Sequence, residues 1–111
     1  MRLLTCDTIP DRPVELGGLV HASAVTGANI LRDMREAVVN TLGGHMTKYE
    51  DVLDKTIDRA LAVLSERARA EGYDGVLAIR ISHPVITSGA IEVVVAGTGF
   101  RYREPASTGG V

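Results

Sequence analysis

The side chains that could do chemistry are few and scattered. Cys6, His21, His45 and His83, together with acids, are the candidates for ligating a metal. None falls at the C-x-x-C or H-x-x-x-H spacing by which one turn or helix presents two ligands together. The spacing therefore favours structural or solvent-exposed histidines and cysteine over a metal site. A Cys–His nucleophile built on Cys6 would need a partner that lowers the thiol pKa, and nothing in the sequence brings His21, His45 or His83 to it. Cys6 reads instead as a small apolar residue in an edge strand. Asp54 and Asp58 are i,i+4 neighbours on a helix and could chelate a cation, but such a charged face is ordinarily solvated. Asp51 and Lys55 make a stabilising i,i+4 pair beside them.

Two glycine-containing stretches invite a ligand reading. Gly43-Gly44-His45-Met46-Thr47-Lys48 places flexible backbone just before a helix N-terminus. Free N–H groups, the positive end of the helix dipole, His45 and Lys48 would together suit an anion. The G-x-x-x-x-G-K-[ST] phosphate loop is absent, and glycines that end one helix and reverse the chain explain the same residues. Gly43, Gly44, His45 and Lys48 are the candidate anion site. Gly97-Thr98-Gly99 lacks the third glycine of a dinucleotide loop, which would stand at Tyr102, and no helix follows it. These glycines are expected to end or bend a strand where another backbone comes close.

The elements that must position these residues show in the hydrophobic periodicity. Thr47-Lys48-Tyr49-Glu50 has the form of a capping box. Tyr49, Leu53, Ile57, Ala60, Leu61, Leu64 and Ala68 follow at spacings of three and four. A helix from Lys48 to Glu71, about 36 Å long, is predicted, with Gly72 as its left-handed stop. Beyond Gly72 the period changes to two. Val76–Ile81 and Ala90–Ala96 read as strands, with Leu77, Ile79 and Ile81 on one face of the first. A hairpin centred on Ile86 would set Arg80 opposite Glu92 and Ile79 opposite Val93. Upstream, Leu3–Cys6 reads as a short strand. Val14–Val25 reads as a longer one, bent at Gly17-Gly18. Asn29 could cap a second helix with Ile30, Leu31, Met34, Val38 and Leu42 inward.

Composition narrows the classes. The chain has 111 residues, 45% of them hydrophobic and 4% aromatic, and a net charge of -2. One domain over residues 1–102 is expected, with residues 103–111 as a disordered tail. The weak negative charge and scarce aromatics argue against nucleic acid and anionic membrane as partners. No stretch approaches the roughly 20 apolar residues that span a bilayer, and Met1 to Pro13 lacks the apolar middle of a signal peptide. A single cysteine excludes an internal disulfide and fits a reducing cytoplasm.

One mismatch bears on function. A single helix covers one face of a small sheet, yet Ala90–Ala96 is apolar on nearly both faces. A second copy of the chain is the simplest cover for the other face, which makes a homo-oligomer the first expectation.

The order of features also carries a resemblance. Gly18-Leu19-Val20 in a strand is followed by Asn29 before Ile30-Leu31-Arg32-Asp33, and by Asn40 leading to Gly43-Gly44. Tyr49-Glu50 then opens a helix with Ala60 and Ala68, and Gly72-Tyr73-Asp74-Gly75-Val76 and Gly97-Thr98-Gly99 close the series. Over about residues 14 to 100 this resembles the YbjQ-like family of small bacterial proteins, uncharacterised and often labelled heavy-metal-binding. The resemblance implies an α+β fold with a dodecin-like β-α-β-β core, one long amphipathic helix on a small antiparallel sheet, and assembly as a ring, expected to be a pentamer. The family usually has Ala where this chain has Tyr73, Gly75 and Gly99, which affects local packing. It supplies no reaction and no cofactor. The expected role is a cytoplasmic homo-oligomeric binding or scaffold protein without a catalytic motif. The alternatives are a heavy-metal-binding protein using His45 or His83, and an enzyme or binder of a small anionic metabolite between subunits near Gly43, Gly44 and Lys48.

Overall fold

The computed structural model describes residues 1–27, 45–84 and 89–103. Along the chain come β1 (Arg2–Leu3), β2 (Val14–Thr26), α1 (His45–Ala70), β3 (Gly75–Ser82) and β4 (Ile91–Tyr102). They form a four-stranded sheet in the order β1-β3-β4-β2. The α1 crossover between β2 and β3 leaves these two strands running the same way, and β4 returns antiparallel between them. The expectation of an antiparallel sheet needs correction, because β1 pairs with β3 in parallel. The backbone of the N-terminal segment is tied there by Leu4 N–H to Val76 O at 2.9 Å and Ile79 N–H to Leu4 O at 3.0 Å. The expected second helix after Asn29 lies outside the described residues. At the other end of the chain, Arg103 N–H donates to Pro13 O, and residues 104–111 lie outside them.

α1 begins at His45, directly after the glycine pair in the sequence, so Thr47 lies inside the first turn and not at the predicted cap. The core stripe follows the predicted spacing. Ala60, Leu64 and Ala68 are fully buried, and Leu53, Ile57 and Leu61 flank them, half-buried. They meet Val20, Ala22 and Ala24 of β2, Ile91, Val93 and Val95 of β4, and Val76 and Ile79 of β3. Full burial of a side chain such as Leu64 contributes about 1.5–3 kcal/mol. Thr56 also lies in this layer, fully buried. Its hydroxyl donates to Val52 O at 2.7 Å and pairs with the Thr26 hydroxyl at 2.6 Å, which satisfies both polar groups.

Each of the two long pairings carries an irregularity. β2 shifts register against β4 between Leu16 and Leu19, at the Gly17-Gly18 bend the sequence predicts. β3 shifts against β4 between Leu77 and Arg80, where Ala78 takes a left-handed φ of 54°. The cost of that conformation, roughly 1–2 kcal/mol for a residue with a Cβ, is offset by the hydrogen bond from Ala78 N–H to Cys6 O at 2.8 Å. Ala78 corrects the predicted face of β3. Leu77 and Ile79 no longer share a side, because the extra residue turns Leu77 away from α1. The hairpin register is corrected as well. Arg80 stands opposite Ala96, not Glu92, and Ile81 stands opposite Val95. β4 runs on through Gly97-Thr98-Gly99 to Tyr102, so those glycines lie within the strand and do not end it.

The C-terminus of α1 is locked onto the sheet by one aromatic ring. Gly72 adopts φ 82°, its N–H donates to Arg69 O at 2.9 Å, and Tyr73 N–H donates to Ala68 O at 3.0 Å, a Schellman closure. The Tyr73 ring then fills the space where side chains at Gly17 and Gly99 would stand. Its hydroxyl accepts Gly18 N–H at 2.8 Å. Arg101 lies over the ring at 4.6 Å and donates to the carbonyls of Gly72 and Glu71, which end the helix.

Gly99→Ala in the presence of Tyr73 is expected to cost about 1–3 kcal/mol, because the added methyl overlaps the ring. In a Tyr73→Ala background the same change is expected to cost little. Denaturant midpoints for the four members of this cycle measure the coupling, and additive costs would contradict the fit of ring to glycine.

Candidate functional site

Among the described side chains, Cys6, His21 and His83 stand apart from one another. His45 and Lys48 occupy the first turn of α1, while Gly43 and Gly44 lie outside the described residues. Cys6 is exposed, and its thiol donates to Thr8 O at 3.3 Å. His83 donates from Nδ1 to the Glu92 carbonyl. His21 projects from β2 on the side of the sheet away from α1, opposite Ala96. Among the described residues no three His, Cys, Asp or Glu side chains converge where they could hold a metal ion. The helix pair Asp54/Asp58 is an exposed acidic face, and the ion pair formed on α1 joins Glu66 to Arg69.

What the fold does assemble lies along β2. This strand is the edge of the sheet, and its residues alternate strictly beyond the bulge. Val20, Ala22, Ala24 and Thr26 turn their side chains to α1 and are buried. Leu19, His21, Ser23 and Val25 turn to the opposite face and are exposed. Leu19 is 74% exposed, Leu16 64% and Val25 53%. Beside them on β4, Val94, Ala96 and Thr98 are only half-buried. The uncovered face is thus apolar at its β2 margin. It carries a polar band where His21 and Arg80 flank Ala96 and where Ser23 and Ser82 flank Val94.

Among the described residues no strand pairs with the outer side of this edge. The outward carbonyls of His21 and Val25 are taken by arginines of α1: Arg67 Nη1 at 2.9 Å and Arg59 Nη2 at 2.6 Å. These two clips follow the antiparallel run of α1 along β2. They also border two open clefts that share Arg67 and Ala70. One, of about 260 Å³, lies between Leu19, His21 and Glu71; the other, of about 350 Å³ and almost wholly apolar, runs over Ala62 and Val63 between Arg59 and Glu66. The sequence analysis missed Arg59 and Arg67. Their signal is a spacing of eight, two turns apart on one flank, which a search for paired ligands does not weigh.

At the other end of the β2–β4 pair, Arg12 stacks over Tyr102 at 3.6 Å, and Tyr102 meets Phe100 edge-on at 5.3 Å. The Arg2 guanidinium donates a hydrogen bond to the Tyr102 side chain; that bond, and then the charge of Tyr102, raise the Arg2 pKa above its ordinary value, so Arg2 stays charged throughout the accessible pH range. No helix among the described residues is long and apolar enough to cross a membrane.

Because the carbonyl that Arg67 caps lies at the surface, water can replace the guanidinium. Arg67→Ala is expected to change stability by no more than about 1 kcal/mol, read from urea midpoints. A loss above about 2 kcal/mol would show that the clip holds α1 to the sheet.

The geometry finds counterparts among known proteins. A family model described as "Putative heavy-metal-binding", YbjQ_1, matches residues 1–103. A UPF0145 protein of Synechococcus sp. (strain JA-3-3Ab) is 36% identical over 104 residues, 93% of this chain and 100% of the relative. One from Halobacterium salinarum is 32% identical over 99 residues, covering 88% of this chain and 95% of the relative. A solved structure from Pediococcus pentosaceus, titled as a protein of unknown function in the DUF74 family, shares the fold with a TM-score of 0.65 at 15% identity. The match covers 93% of this chain and 98% of that one. With a family model spanning nearly every residue and relatives above 30% identity in bacteria and archaea, this chain belongs to the uncharacterised YbjQ-like, or UPF0145, family.

Proposed function

We propose that the protein is a cytoplasmic homo-oligomeric binding or scaffold protein, not an enzyme. The observation that carries this reading is the uncovered sheet face, on which Leu16, Leu19 and Val25 of a single edge strand stand more than half exposed. Apolar side chains clustered on one face of an edge strand mark an association surface. The likeness to the YbjQ-like family supports a ring, with five copies as the expected size. Where subunits meet, Gly43, Gly44, His45 and Lys48 are the residues proposed for a small anion, since His45 and Lys48 stand at the positive end of α1. Heavy-metal binding rests on the family description alone, and a site would need ligands from more than one subunit or from residues outside those described.

Native mass spectrometry of the untagged protein, purified without chelators, tests both parts. The expected spectrum is a closed oligomer, five copies for a single ring or ten for two joined rings, without a stoichiometric metal. A stable monomer at micromolar concentration would contradict the association reading. One zinc, copper or nickel per subunit would replace scaffolding with metal binding.

A further inference from the structure

The free edge of β2 is complementary to itself. Beyond the bulge, Val20, Ala22, Ala24 and Thr26 pair inward with Gly97, Val95, Val93 and Ile91, so Leu19, His21, Ser23 and Val25 direct their N–H and C=O groups outward. Among the described residues no backbone group meets these outward positions. The arginines Arg59 and Arg67 approach the carbonyls of Val25 and His21 from the helix side, which leaves a second lone pair on each oxygen.

A second β2 laid antiparallel about a two-fold axis at Ala22 sets Leu19 opposite Val25 of the other copy and His21 opposite Ser23. Apolar then meets apolar and polar meets polar, each twice. These outward-pointing residues fall directly opposite one another, as the pairs that exchange two hydrogen bonds must. A second observation agrees. α1 lies over β2 and β4 more than over β3. In the paired sheet the two helix axes are therefore about two strand spacings apart, ~10 Å, which is a normal helix-packing distance. The flanks that would meet are the apolar clefts over Ala62, Val63 and Ala70. The two-fold brings the Arg59 end of one helix to the Ala70–Glu71 end of the other, guanidinium toward carboxylate.

We infer that two copies of this chain join edge to edge through β2, in the register Leu19–Val25 and His21–Ser23, forming one continuous eight-stranded sheet. This rests on the self-association reading above and names its surface. A two-fold contact closes on itself, so it takes the β2 margin for pairing and leaves a ring to be closed by a different contact; with five copies in a ring, it joins two rings into ten.

The register is tested by the variant Leu19→Cys/Val25→Cys in a Cys6→Ser background, oxidised with diamide and run on a non-reducing gel. Cα atoms of such a pair lie about 5.5 Å apart, within disulfide reach. The two positions are about 20 Å apart along one strand, so no bridge forms within a chain. A covalent dimer is expected, and Leu19→Cys/Ser23→Cys, displaced from the register, should cross-link several-fold less. Equal cross-linking by both, or none by either, would overturn the register. Ser23→Pro supplies a second readout, because the outward N–H it removes meets no acceptor among the described residues. It should keep the fold and weaken association about tenfold or more, the equivalent of one lost ladder contact. If native mass spectra show an oligomer while neither variant responds, self-association stands and this edge is not its surface. If the unmodified chain is monomeric, both readings fail.

Discussion

Among the described residues one helix has to serve four strands. α1 is about 10 Å wide and lies along β2 and β4, so it buries one face of those strands and leaves the other to be covered by something else. The rest of the molecule follows from that constraint. The core is a single layer between Ala60, Leu64 and Ala68 above and Val20, Ala22, Val93 and Val95 below. The alternation of β2 then carries Leu19 and Val25 to the uncovered side. At one end the opposite face is partly closed by the chain itself, where Leu77 and Phe100 are fully buried and Arg12 stacks on Tyr102. At the β2 margin nothing comparable exists among the described residues, and that margin is where a partner would gain most.

The described histidines, cysteine and acids are spread over the sheet and the exposed flank of α1. What converges is apolar surface, outward-facing backbone and paired arginines. These are the components of an interface, and their arrangement along a single strand gives that interface a register.

Much of this was legible in the sequence, and the failures have physical causes. The stripe from Leu53 to Ala68 announced the helix because its spacing is dictated by 3.6 residues per turn. Gly17-Gly18 announced the β2 bulge because glycine is the residue that such bends favour. Ala78 gave no such sign: an alanine in the left-handed region is held there by the Cys6 carbonyl, a contact from the other end of the chain. Missing that bulge put Leu77 on the wrong face, and the shift of the hairpin paired Arg80 with Glu92 in place of Ala96. Thr56 was overlooked because its hydroxyl reads as polar, although Thr26 and Val52 satisfy it within the core. The role of Tyr73 was invisible for the same reason as that of Ala78. Its partners, Gly17 and Gly99, are distant in sequence and meet only in the folded sheet. Of the candidate anion site, His45 and Lys48 were placed at the helix start, while the apolar margin was legible only as an excess of Val and Ala on β4.

The central claim is that the free edge of β2 is buried between copies, and residue-resolved amide hydrogen exchange tests it most directly. In a lone chain the amides of Ala22 and Ala24, bonded to β4, exchange slowly, while those of His21, Ser23 and Val25 exchange freely. At concentrations where the oligomer forms, the account predicts that the odd-numbered amides become protected alongside the even-numbered ones. Fast exchange at His21, Ser23 and Val25 in a fully assembled sample would contradict it.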